Sequence, residues 1–257
     1  MDTNDIVARI TKEVLLRIRD QDHETRDRIV NNGEDTVRLS GNDIAYTLEY
    51  SLLGCPDISQ EQLIQACKIA KRYRMANICV LPYHVSLALE YLRGSGVKVC
   101  TIIQQAYGAS STAGKVAEAK EAIKNGAEEI DVAMNILAIK DGKFKDALKD
   151  ISEVVNVAKG KGTIKAIYEQ GLYTEEEKVA ALSIAKESGA EFIKISNYYS
   201  PKRASVEDVK FVREIVGDHI RLKIDGSIST AAHVRELMEA GAHRFGCSKA
   251  IEVIEGN

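Results

Sequence analysis

The chain lacks the marks of several protein classes. Lys and Arg number 35 against 38 Asp and Glu, a formal charge of −3 with no basic block, which argues against a nucleic-acid partner. The five cysteines (Cys55, Cys67, Cys79, Cys100 and Cys247) form no CxxC or other metal-ligand spacing. Their odd number is that expected of reduced thiols in a cytoplasmic compartment. No signal peptide and no apolar run long enough to span a bilayer is found, so no membrane association is expected. No GxGxxG follows the first strand-like run, which counts against a dinucleotide fold.

What is present is a regular alternation. From about residue 44, β-type runs occur at 44–53, 77–81, 97–103, 128–134, 163–168, 191–196, 220–225 and 243–248. Amphipathic segments such as "TEEEKVAALSIAKESGA" separate them, and Gly126, Gly189, Gly217 and Gly241 suit helix ends. Eight strand–helix units in about 210 residues predict an α/β fold, a (β/α)8 TIM barrel, over residues 41–257. Before it, residues 1–40 read as an N-terminal helical extension. Ile6, Ile10, Val14, Leu15 and Ile18 form an amphipathic stripe, and "NNGEDTVRLSGND" (31–43) reads as a polar linker.

Alternation within each strand separates the face toward the helices from the face toward the barrel interior. Ile130, Val132 and Met134 oppose Asp131 and Ala133; Ile193 and Ile195 oppose Phe192, Lys194 and Ser196; Leu222 and Ile224 oppose Lys223 and Asp225. Lys165 and Glu169 fall on the inner parity of their strand, and Gly246 and Ser248 share one face of the last. The interior thus gathers three lysines with carboxylates. A compensated structural ion cluster is the plain alternative, but such clusters are expensive to bury.

A lysine becomes a nucleophile when burial or a neighbouring cation frees its amine. Lys194 and Lys223 lie at similar heights on consecutive strands, so each is expected to lower the pKa of the other. One would form a Schiff base, the other would stay charged and assist proton transfer, and Asp131 would relay protons. With no metal motif and no partner pair for pyridoxal phosphate, this is the inventory of a class I aldolase needing no metal or other cofactor.

Specific segments carry a resemblance. "ANICVLPYHV", "VKVCTII", "GAEEIDVAMNI", "GAEFIKIS", "RLKIDGSI" and "AGAHRFGCSKA", in this order, resemble the strands of the deoxyribose-phosphate aldolase family over about four-fifths of the chain. The resemblance implies Lys194 as the Schiff-base lysine, Lys223 as the pKa-lowering second lysine and Asp131 in the proton relay. It also implies a small aldehyde or sugar phosphate substrate and a homo-oligomer, a dimer or larger. The reaction expected is reversible cleavage of 2-deoxy-D-ribose 5-phosphate to glyceraldehyde 3-phosphate and acetaldehyde.

Departures fall on the substrate rim. "KISNYYS" stands where the family reads "KTSTGF", "KIDGSIST" where it reads "KASGGIRT", and "GCSKA" where it reads "GTSSG". Backbone amides around Gly226, Ser227, Gly246 and Ser248 remain suited to an anion, with Lys249 adding charge. Cys79, Lys165 and Ser196 are the other expected substrate-facing positions, and Tyr198 and Tyr199 lie on the loop after strand six. The altered rim and the inward Asp225 leave two further readings open: a related aldolase for another sugar or sugar phosphate, and a non-catalytic sugar-phosphate-binding or scaffold barrel.

Residues 1–20 resemble peptides that tether enzymes to a bacterial microcompartment shell, a setting suited to an enzyme releasing a volatile aldehyde. An extra helix packing on the barrel or at an oligomer interface is the alternative.

Overall fold

The computed structural model describes residues 44–104, 107–200, 202–226 and 228–256, together with Arg9 and Lys12. The expected N-terminal helix and linker, apart from those two residues, and Ser227 lie outside the described residues.

Eight parallel strands close into a barrel in sequence order. They are β1 (Leu48–Ser51), β2 (Asn77–Val80), β3 (Lys98–Ile103), β4 (Glu129–Ala133), β5 (Thr163–Glu169), β6 (Phe192–Ser196), β7 (Arg221–Asp225) and β8 (Arg244–Cys247), and β1 pairs with both β2 and β8. The principal helices are α1 (Gln60–Tyr73), α2 (Val85–Leu92), α3 (Thr112–Lys124), α4 (Ile136–Lys140), α5 (Phe144–Ala158), α6 (Glu175–Glu187), α7 (Val206–Val216), α8 (Ala231–Glu239) and α9 (Ala250–Glu255). All eight expected strands are found. The first is shorter than its apolar run, because Thr47 turns back and donates its N–H and hydroxyl to the Ile44 carbonyl at 2.8 and 2.6 Å.

Local sequence sets these elements. Ser59 with Gln62, Thr174 with Glu177 and Ser205 with Asp208 form reciprocal capping boxes that start α1, α6 and α7. The outward strand face carries Ile130, Val132, Ile164, Ala166, Ile193, Ile195, Leu222 and Ile224 into one apolar shell beneath the helices. Fully burying such a side chain stabilises by about 1.5–3 kcal/mol, so this shell holds the barrel closed around a polar interior.

Two devices fix the strand ends that carry the site. The buried Lys115 ammonium of α3 donates to the Ala133 carbonyl at the end of β4 at 2.8 Å and pairs with Asp150 of α5. The Cys247 thiol at the end of β8 donates to the Ile228 carbonyl at 3.1 Å, tying the loop that follows β7 to β8.

Candidate active site

The inward residues stack in tiers. Register pairs Asp131 with Lys165 across β4 and β5, and Lys194 with Lys223 across β6 and β7. All four are buried, as are Glu49 of β1 and Glu129 of β4.

The lower tier belongs to Lys165. Its ammonium pairs with Glu129 at 2.6 Å, Glu49 at 3.0 Å and Asp131 at 3.3 Å, and donates to the Cys100 sulfur at 3.3 Å. Asn77 donates to Glu129 at 2.8 Å. Burial disfavours the Lys165 charge, but the surrounding acidic groups outweigh it and hold its pKa well above the usual lysine value. Phe192 seals this end, with the Arg221 guanidinium 4.1 Å from its ring centre.

Above it, the Asp131 Oδ2 atom accepts from both Lys223 at 2.7 Å and Lys194 at 2.9 Å. Lys223 also reaches Glu49 at 2.5 Å, and Lys194 reaches Asp225 at 2.5 Å. Burial would raise the Asp131 pKa, yet Lys194, Lys223 and Lys165 together hold it well below the usual carboxylate range. The expectation that Lys194 has a lowered pKa is corrected. Burial and Lys223 do push it down, but Asp131 and Asp225 prevail and hold it above the ordinary value. Lys194 therefore rests as an ammonium.

A cavity of about 650 Å³ opens above Lys194 at the C-terminal strand ends, where barrel enzymes place their chemistry. Ser196, Gly226, Gly246, Ser248 and Lys249 line it as expected, alongside Asp225, Tyr198, Tyr199 and Arg203. Two expected substrate-facing residues do not. Cys79 and Lys165 are buried beneath the cavity floor, Cys79 beside Cys100 and Asp131, because parity sets the face of a strand and not the height within the barrel. The amides near Gly226 are loop groups: α8 starts only at Ala231, with Thr230 capping its His233 N–H at 3.2 Å.

The rim is organised by Glu169, which accepts the Ser196 hydroxyl at 2.5 Å and the Tyr199 N–H at 3.2 Å. Tyr199 stacks on Tyr107 with ring centres 5.4 Å apart. From the same loop as Tyr199, Arg203 donates to the Ser229 hydroxyl at 3.1 Å and faces the His233 Nδ1 at 3.1 Å. The sequence reading missed Arg203, and missed Glu49, Glu129 and Asn77 in the lower tier. Alternation applied to the short first strand and to Glu129 would have put both acids inside.

Two clusters of ligand-type groups, Cys79–Cys100–Asp131 and Glu49–Cys100–Glu129, each have donor atoms within 4.8 Å of one another. Lys165 is bonded to members of both, so these donors already neutralise a cation.

A lysine opening on a β/α-barrel cavity, backed by a carboxylate shared with a second buried lysine, defines a barrel aldolase of the imine-forming class. A family model described as DeoC/LacD family aldolase matches residues 56–249, and the chain belongs to that family. The deoxyribose-phosphate aldolase of Clostridium tetani is 44% identical over 200 residues, covering 78% of this chain and 93% of the relative. That of Staphylococcus haemolyticus is 43% identical over 209 residues, 81% of this chain and 94% of its own. A tetrameric deoxyribose phosphate aldolase from Aeropyrum pernix superposes with a TM-score of 0.76 over 84% of this chain and 92% of that one, at 23% identity, a likeness of fold.

Proposed function

We propose that the protein reversibly cleaves 2-deoxy-D-ribose 5-phosphate to glyceraldehyde 3-phosphate and acetaldehyde through a Schiff base on Lys194. The observation carrying this reading is that Lys194 alone of the three interior lysines lines the cavity, with Asp131 and Lys223 directly behind it. The substrate carbonyl enters above the Lys194 amine, which loses its proton and attacks. Loss of water gives an iminium, an electron sink that allows the carbon–carbon bond to break and leaves an enamine of acetaldehyde. Lys223 is charged at rest beside Asp131, and Asp131 relays protons between Lys223 and the Lys194 nitrogen.

For the acceptor's phosphate, Arg203 and Lys249 line the cavity together with Gly226, Gly246 and Ser248, and supply cationic and N–H groups. The test is a panel of phosphorylated and free deoxy sugars with coupled detection of acetaldehyde. Turnover of 2-deoxyribose 5-phosphate at least tenfold faster than free 2-deoxyribose supports the reading, and the reverse preference removes it.

One observation favours a second reading, an aldolase for a different sugar or sugar phosphate. Asp225 presents a carboxylate on the cavity wall, which disfavours an anionic group close to Lys194 and favours a hydroxyl there. The same panel separates the two. The helices of the described residues include none long and apolar enough to cross a membrane. A cytoplasmic homo-oligomer is the assembly proposed, following the Aeropyrum pernix protein, with residues 1–20 as a tether to a microcompartment shell.

A further inference from the structure

Asp131 meets only half of the proton traffic that imine formation requires. It is fully buried, and its oxygens are held by Lys194 at 2.9 Å, Lys223 at 2.7 Å, Lys165 at 3.3 Å and the Cys100 sulfur at 3.4 Å. No face of it reaches the substrate. Lys194 nevertheless has to shed a proton toward the cavity, and the hydroxyl of the carbinolamine has to leave as water there.

We propose that Asp225 is the cavity-side acid–base residue of the reaction. Its Oδ2 atom lies 2.5 Å from the Lys194 nitrogen, and unlike Asp131 it lines the cavity. The side chain is 25% exposed and lines the cavity, and Lys194 is its one ion-pair partner among the described residues. Room for it is made by Gly246, where a Cβ would come within 2.9 Å of the Asp225 carboxyl carbon. A carboxylate kept clear in this way, in contact with the reacting nitrogen and open to substrate, has the reach a proton carrier needs.

Asp225 takes one proton from the Lys194 ammonium, giving a neutral amine and a carboxylic acid. The amine attacks the carbonyl carbon, and one proton passes from nitrogen to the new alkoxide to give the carbinolamine. Asp225 returns its proton to that hydroxyl, the carbon–oxygen bond breaks, and water leaves. The iminium remains paired with the restored carboxylate.

This inference rests on the imine reading above, and one experiment separates their failures. The full-length chain and its Asp225→Asn variant are incubated with acetaldehyde and saturating cyanoborohydride. The initial rate of N-ethylation at Lys194 is then followed by mass spectrometry between pH 5 and 9. Facing Lys194 are Asp131 from β4, Lys223 and Asp225 from β7, and Cys79 from β2; the variant changes only one of these. Were Asp225 a counter-ion alone, its neutralisation would free more Lys194 amine and trapping would run as fast or faster. As a proton carrier, its loss slows trapping about 100-fold at pH 7 and leaves a deficit at every pH of the range, because, against burial, Lys194 and Lys223 keep the Asp225 carboxylate ionised across it.

Trapping in the variant within threefold of the parent overturns the proposal while leaving the imine reading intact. Absence of an adduct in the parent overturns that reading itself. Asp225→Ala provides an independent arm, since added formate can enter the vacated space. Saturable acceleration by formate supports the role, and no acceleration contradicts it.

Discussion

Lys165 and Lys194 are near-twins by position: inward-facing, fully or almost fully buried, on adjacent strands, and each held by carboxylates. Their environments differ in one respect. Lys165 is enclosed by Glu49, Glu129, Asp131, Cys100 and the Phe192 plug, with no route to solvent, whereas Lys194 forms the cavity floor. Burial and charge compensation therefore do not by themselves mark a reactive lysine. Access to a substrate-sized space does, and the lower tier serves to hold the upper one in place.

The comparison breaks most visibly at the nucleophile. Lys194→Ala is expected to reduce cleavage by about 10⁴-fold or more with the melting temperature little changed, because the imine route is lost while the site opens to water. Steady-state kinetics beside a thermal melt reads both. Lys223→Met, which removes the charge behind the nucleophile, should lower kcat by about 10²- to 10⁴-fold with a smaller change in KM.

Lys165→Met sharpens the other side. It strands Glu49 and Glu129 without their shared cation, so a loss of about 3–5 kcal/mol, or roughly 10 °C in melting temperature, is expected. Protein that remains folded should still trap acetaldehyde at Lys194.

The lower tier also has a pH signature. Burial alone would raise the Glu129 pKa, but Lys165, with Arg244 and Lys98 nearby, overrides it and brings it from 4.5 to about 2. A carboxylate with a depressed folded-state pKa contributes stability that is fully present above pH 4.5 and is lost as pH falls toward 2. The contribution is about 3 kcal/mol, and urea titrations across this window should show it falling in the parent and absent in Glu129→Gln.

Deletion of residues 1–40 should be the mildest change, leaving kcat/KM within about twofold, since the family match starts only at residue 56. Retained activity with lost shell co-purification supports tethering; aggregation or lost activity supports a packed structural helix.

Sequence pattern revealed the strand count, the closed barrel and the inward parity of Asp131, Lys165, Lys194 and Lys223, because period-2 alternation is a local property of each strand. Height was hidden. The depth of a residue follows from how the strands shear as the barrel closes, so Cys79 and Lys165 were expected at the cavity and are found beneath it. The sign of the Lys194 shift was hidden for a related reason. Two lysines considered together predict mutual depression, whereas Asp131 and Asp225, brought within 3 Å by separate strands, reverse it. Arg203 was illegible because a loop of tyrosines and basic residues carries no periodicity to say which one turns inward.

The most direct test is reductive trapping: incubation with acetaldehyde, reduction with borohydride, and peptide mapping of the adduct. A single N-ethylated lysine at Lys194, with Lys165 and Lys223 unmodified, is the expected result. No adduct at Lys194, or one at Lys165, would contradict the assignment of the accessible lysine as the nucleophile.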